Sequence, residues 1–164
     1  MSRGPVRVGL FWHSRTGTTR AAVEMLQAGL TARGAKPRIA EIRPRWDLPY
    51  PLWLALSFVP GIRFPLRPVP FPPTEFDRAV LAFPKWTFAH PPVNAFLARW
   101  ARSLPPTGLL VTCGGWDQDR YLVGYRRRLE RAGVEVRAAL AVKKRDLPAR
   151  ATQEALGRFA DRLL

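Results

Sequence analysis

The residues best suited to chemistry stand near the amino terminus, where Ser14-Arg15-Thr16-Gly17-Thr18-Thr19 follows a short apolar run. The six residues offer four hydroxyls, a central glycine and successive backbone N–H groups just ahead of a helical pattern. That combination favours a phosphate, because a helix start presents unpaired donors and the positive end of its dipole. No Gly-Lys pair occurs anywhere in the chain, so this is not a Walker loop, and the spaced glycines of a dinucleotide fingerprint are missing too. The plainer reading of the segment is a Thr-capped helix start. Two further loops deserve the same attention, Pro84 to Pro92 and Cys113 to Gln118. His13 and His90 flank them and could donate a hydrogen bond or proton to a ligand oxygen, or serve only as loop histidines with structural hydrogen bonds. Cys113 reads as a small packed residue before it reads as a redox thiol. No catalytic residue is assigned.

The loops acquire meaning from the elements that carry them. Val6 to Trp12 is a short β-rich strand, and Ala21 to Leu30 is helical, with Ala22, Val23, Leu26 and Leu30 on one face and Gly34 as a stop. Ile39 to Ile42 is a second strand between Pro37 and Pro44. Ala79 to Phe83 is a buried strand followed by a helix from about Val93. Gly108 to Thr112, Asp119 to Ala132, Val134 to Val142 and Thr152 to Leu163 continue the alternation of strand and helix. Several strands are apolar without alternation, as when helices cover both faces of a parallel sheet. The expected architecture is an α/β doubly wound three-layer sandwich, 1–164 forming one domain around five parallel strands. In such sheets ligands bind beyond the carboxyl ends of the strands, where all three loops fall.

Composition sets the limits. The chain has 164 residues, 47% of them hydrophobic, enough for a real core, so dominant disorder is excluded. One cysteine forbids an internal disulfide, and two histidines beside it leave no ligand set for structural zinc. With neither a signal-peptide build nor a run of roughly 20 apolar residues, the expected location is cytoplasmic. The net charge is +15, carried by 23 Arg and only 4 Lys. Arginine-rich composition explains most of it, and Arg126-Arg127-Arg128 with Arg120 and Arg131 reads as a solvated helix face. No recognisable nucleic-acid module accompanies that face, so nucleic acid is not the expected partner.

The exception to the regular pattern is the segment 44–73, which holds 9 of the 17 prolines. Its middle, Leu52 to Val59, is apolar on every side, fits a short helix with Pro51 in the first turn, and must stop at Pro60-Gly61. A helix apolar all round is expected to be buried under an extended strap. A dimer interface through 50–64, a wall over a ligand pocket, and a peripheral membrane contact are the other readings, since aromatics and arginines mix along it.

At these motifs the sequence resembles the flavodoxin family and the related flavin-dependent NAD(P)H and quinone reductases. Leu10, Phe11, Ser14, Thr16, Gly17, Thr19 and Leu26 fit that family's first loop and its flanks. Phe76 to Trp86 with Pro91 to Leu97 looks like its third strand, flavin loop and following helix, and Leu110 to Gly115 like its fourth strand and last flavin loop. The resemblance spans most of the chain outside the proline-rich connector. It implies a flavodoxin-like sheet of order 2-1-3-4-5, with that connector lying between strands 2 and 3. It also implies FMN as cofactor: Ser14, Arg15, Thr16, Gly17, Thr18 and Thr19 around the phosphate, Pro84, Lys85, Trp86, Thr87 and Phe88 along one face of the flavin ring, and Cys113, Gly114, Gly115, Trp116 and Asp117 along the other. Trp86 and Trp116 are the stacking candidates, and Gly114 and Gly115 let the backbone approach closely.

The function so implied is that of an FMN-binding redox protein, an electron carrier or a small NAD(P)H- or quinone-type oxidoreductase. Flavodoxins proper are usually acidic, and this chain has the opposite sign, which points to an anionic partner, an acidic redox protein or a membrane-associated quinone. The alternative is a flavin-free binding or accessory protein that grips a partner or apolar ligand with the aromatic connector.

Overall fold

A computed structural model of the protein describes residues 4–164. Five strands, β1 (Arg7–Trp12), β2 (Lys36–Glu41), β3 (Arg78–Pro84), β4 (Thr107–Cys113) and β5 (Val136–Lys143), alternate with five helices. The helices are α1 (Thr18–Ala32), α2 (Tyr50–Ser57), α3 (Pro91–Trp100), α4 (Gln118–Arg131) and α5 (Arg150–Leu163). All neighbouring strands run parallel, in the order β2-β1-β3-β4-β5. The order reverses at β1, so the carboxyl ends of β1, β3 and β4 share the crevice where ligands of such sheets bind.

Side chains alternate across the central strands and build two cores. Val8, Leu10, Val80 and Leu110 face α1 and α5, while Phe11, Leu81, Phe83, Leu109 and Val111 face α3 and α4. Each fully buried leucine contributes about 2 kcal/mol of apolar transfer energy. Phe11 also meets Phe71 and Phe76 edge-on, both at 6.0 Å, and so ties the far end of the connector to the sheet.

Several boundaries differ from the sequence expectation, each for a local reason. α1 begins at Thr18, three residues before the expected Ala21, because Gly17 takes a left-handed φ of 87° and turns the chain into the helix at once. β2 runs Lys36–Glu41 instead of Ile39 to Ile42 and includes Pro37, which an edge strand tolerates. α3 starts at Pro91, with both prolines in its first turn and His90 Nδ1 accepting from Val93 N–H at 3.4 Å as the cap.

The connector departs further. Its arms pair through an antiparallel bridge, Arg45 N–H donating to Pro65 C=O at 2.8 Å and Arg67 N–H to Arg43 C=O at 2.9 Å. α2 forms where expected, with proline in its first turn, yet it is not buried under the strap. Only Trp53 and Ser57 point inward, while Leu52, Leu54, Phe58 and Val59 are exposed. One tryptophan, edge-on to Phe64 at 4.7 Å, secures the helix and leaves the rest of its apolar surface outward.

Candidate functional site

The first loop leaves β1 through His13, which is buried, its Nδ1 donating to Ile42 C=O at 2.8 Å. Ser14 Oγ then accepts from Gly17 N–H at 3.0 Å and folds the loop back. α1 starts from Gly17 with no side-chain cap and no acidic residue in its first turn. Its leading N–H groups are therefore open to an anion. Ser14, Arg15, Thr16 and Thr18 are at least partly exposed around that opening. Thr19 is different: its hydroxyl is buried, 2.6 Å from that of Thr112, and stitches the loop to β4.

The second loop is anchored at both ends. Lys85 N–H donates to Thr112 C=O at 2.6 Å, and the last carbonyl of α2, Ser57 C=O, accepts from Phe88 and Ala89 N–H at 3.0 and 2.9 Å. Thus α2 fixes the loop that follows β3. Trp86 lies on His90, ring centroids 4.0 Å apart, and leans toward Trp53 at 5.6 Å. His90 is wholly buried, and burial holds its pKa well below 6.5, helped by the neighbouring His13. Burial also lowers His13. Both imidazoles are structural neutral rings in this packing, and His90 Nε2 has no hydrogen-bond partner.

In the third loop Cys113 is buried, and that burial pushes its thiol pKa up, away from nucleophilic use. Gly114, Gly115, Trp116 and Asp117 are exposed. Lys85 Nζ sits over the Trp116 ring at 4.5 Å, joining the second and third loops.

The second and third loops line two cavities that share Lys85, Thr87 and Trp116. The first, of about 240 Å³, is a slot between Trp86 and Trp116 with Tyr50, Trp53 and Leu54 of α2 along its wall. Arg15 reaches over Tyr50 at 5.1 Å, and a further cavity, of about 290 Å³ and lined by His13, Ser14 and Arg15 of the first loop, shares Trp53 and Trp86 with this slot. The second, of about 340 Å³, runs along α4 beside Tyr121, Tyr125 and Arg128. The three loops are legible in the sequence, whereas the place of these α4 residues at the cavity is not. Their only signal was the i, i+4 spacing of two tyrosines on an arginine-rich helix directly after the Trp116 loop.

No family model matches the sequence. An uncharacterized protein of Archaeoglobus fulgidus is 34% identical over 142 residues, 85% of this chain and 88% of that one. Among solved structures, a candidate flavoprotein of Bacteroides eggerthii superposes with a TM-score of 0.75 at 15% identity over 96% of this chain and 98% of its own. The flavodoxin of Megasphaera elsdenii gives 0.63 at 19% over 94% and 98%, and an NAD(P)H:quinone oxidoreductase of Methanothermobacter marburgensis 0.53 at 13% over 97% of each chain. At these identities the likeness to solved structures is one of fold, and strand order agrees with it: this is a flavodoxin-like α/β protein. Within that fold the chain belongs to one family with the Archaeoglobus protein.

Proposed function

We propose that the protein binds FMN and moves electrons, as a carrier or a small reductase of quinone-like or nicotinamide acceptors. The observation that carries this reading is the uncapped start of α1 at Gly17, whose preceding loop shares Trp53 and Trp86 as a common wall with the aromatic slot between Trp86 and Trp116. The donor set fits the group. Backbone N–H groups of Arg15, Thr16, Thr18 and Thr19, the hydroxyls of Ser14, Thr16 and Thr18, and the Arg15 guanidinium would hold the phosphate. Trp86, Trp116, Tyr50 and Leu54 would flank the ring, and the exposed backbone of Gly114 and Gly115 would meet its polar edge. When bound, FMN supplies hydride or single-electron transfer, while the protein supplies position and electrostatics.

The two histidines are packed as neutral rings, and Cys113 is buried. What this chain adds is an aromatic and apolar wall from α2 and a cationic surround. A net charge of +15 favours an acidic redox protein or an anionic acceptor as partner. One observation supports the second reading, a flavin-free accessory protein: the exposed apolar face of Leu52, Phe58 and Val59 is a ready contact surface. Purification separates the two. A flavin spectrum on the isolated protein, or quenching of flavin fluorescence when FMN is added, is expected; a colourless protein that quenches nothing favours the accessory role.

A further inference from the structure

The 340 Å³ cavity along α4 has its own chemistry. Three cations line it, Lys85, Arg120 and Arg128, against one carboxylate, Asp117. Among the described residues none of the three cations forms an ion pair, although Arg126 on the same helix pairs with Glu130 at 2.9 Å. Arg128 is half-buried and held by α3, donating from Nη1 to Asn94 Oδ1 and from Nη2 to Asn94 C=O. A guanidinium fixed, part-desolvated and without a counterion is a place where an anion gains most.

Gly124 supplies the second observation. It stands in the middle of α4 among the residues lining this cavity, where glycine destabilises a helix relative to alanine, and a Cβ there would meet nothing within 4 Å. No close packing explains it, so what the glycine gives is room. The third observation is the wall: Trp116 and Phe88 are 72% and 62% exposed, and Tyr121 lies beside them. Exposed rings at a cavity mouth offer flat apolar contact.

We propose that this cavity binds a flat organic carboxylate, its charge on Arg128 and Arg120 and its ring against Phe88 and Tyr121. The planar guanidinium fork of Arg120 matches a carboxylate in bidentate fashion, Arg128, already donating to Asn94, adds a fixed charge, and the aromatic wall selects an apolar body. Binding stands on the cavity alone. Only its role, as a redox ligand of the adjoining slot, rests on the FMN reading.

Calorimetric titration of the full chain with 2-naphthoate, and with the neutral 2-naphthalenemethanol, tests this. Naphthoate is expected to bind at least about tenfold tighter than the alcohol, and Arg120→Gln to narrow that gap severalfold. Gly124→Leu is expected to weaken naphthoate at least about tenfold while FMN affinity is kept. Gly124→Ala, which suits a helix better, should raise the melting temperature and weaken naphthoate less, so a folding defect in the leucine variant does not decide the matter. No naphthoate binding, equal binding of the alcohol, or unchanged naphthoate affinity in folded Gly124→Leu overturns the proposal. Loss of FMN together with naphthoate in that variant also overturns it, because the cavity is then the flavin's own. A wild-type chain that binds naphthoate in this pattern but no FMN keeps the carboxylate site and ends the flavin reading instead.

Discussion

The indole of Trp86 lies nearly flat on the imidazole of His90, with ring centroids 4.0 Å apart and planes 17° from parallel. His13 meets His90 edge-on at 4.9 Å, so the loop after β3 is built over two buried histidines. That stack holds one Trp86 face against the interior and leaves the ring's border to the slot beside Trp116.

Acid should loosen this packing. Both histidines have folded-state pKa values below their ordinary value, His90 by the wider margin, because burial disfavours the charged ring. The unfolded chain takes up protons near pH 6.5 and the folded chain only below that. Stability is thus full above about pH 6.5 and falls as pH drops toward the folded values, by up to about 1.4 kcal/mol per pH unit for each histidine. Urea unfolding at pH 7.5, 6 and 5 measures this; a midpoint independent of pH contradicts it, as does His90→Leu retaining the full slope.

The hydroxyl pair of Thr19 and Thr112 should behave as a unit. Thr19→Val leaves the Thr112 hydroxyl buried and unpaired, at a cost of about 1–3 kcal/mol. The double variant with Thr112→Val should recover part of that loss, because no orphaned donor remains. Denaturant midpoints of the cycle decide; strictly additive losses contradict the coupling.

α2 should split sharply by residue. Trp53→Ala removes a buried indole packed on Phe64 and Trp86 and should cost about 3–5 kcal/mol. Leu52→Ser and Phe58→Ser change exposed positions and should stay within about 0.5 kcal/mol of the parent. Comparable losses at all three would mean that the helix is buried as its composition suggests.

That contrast marks where the sequence stopped being informative. The unbroken apolar runs at Ala79 to Phe83 and Gly108 to Thr112 could only be strands covered on both faces, and the strand order agrees. Loops at the ends of β1, β3 and β4 were legible because strand polarity alone puts them together. Burial of α2 is not legible because its uniform apolarity carries no direction: Trp53 and Ser57 anchor its eight residues, and of the readings open to this segment the wall along a cavity is the one the structure matches. Arg128 looked like part of a solvated arginine face, yet it turns inward to Asn94, a partner on α3 that no local pattern announces.

Gly17 tests the phosphate cradle. A Cβ there meets nothing within 4 Å, so crowding by the protein is not what excludes a side chain; the φ of 87° is. Gly17→Ala should cost about 1 kcal/mol of stability, Gly17→Val more, with FMN affinity falling at least about tenfold in Gly17→Val as the loop shifts. Retained affinity in a folded Gly17→Val would place the phosphate elsewhere.

The most direct measurement is a paired fluorescence titration of the purified chain with FMN and with riboflavin, which lacks the phosphate. If the open start of α1 and the slot between Trp86 and Trp116 form one flavin site, both flavins are quenched and FMN binds at least about tenfold tighter, for one phosphate at a helix start with charge-assisted donors. Equal affinities would contradict the cradle, and no quenching by either flavin would contradict the site itself.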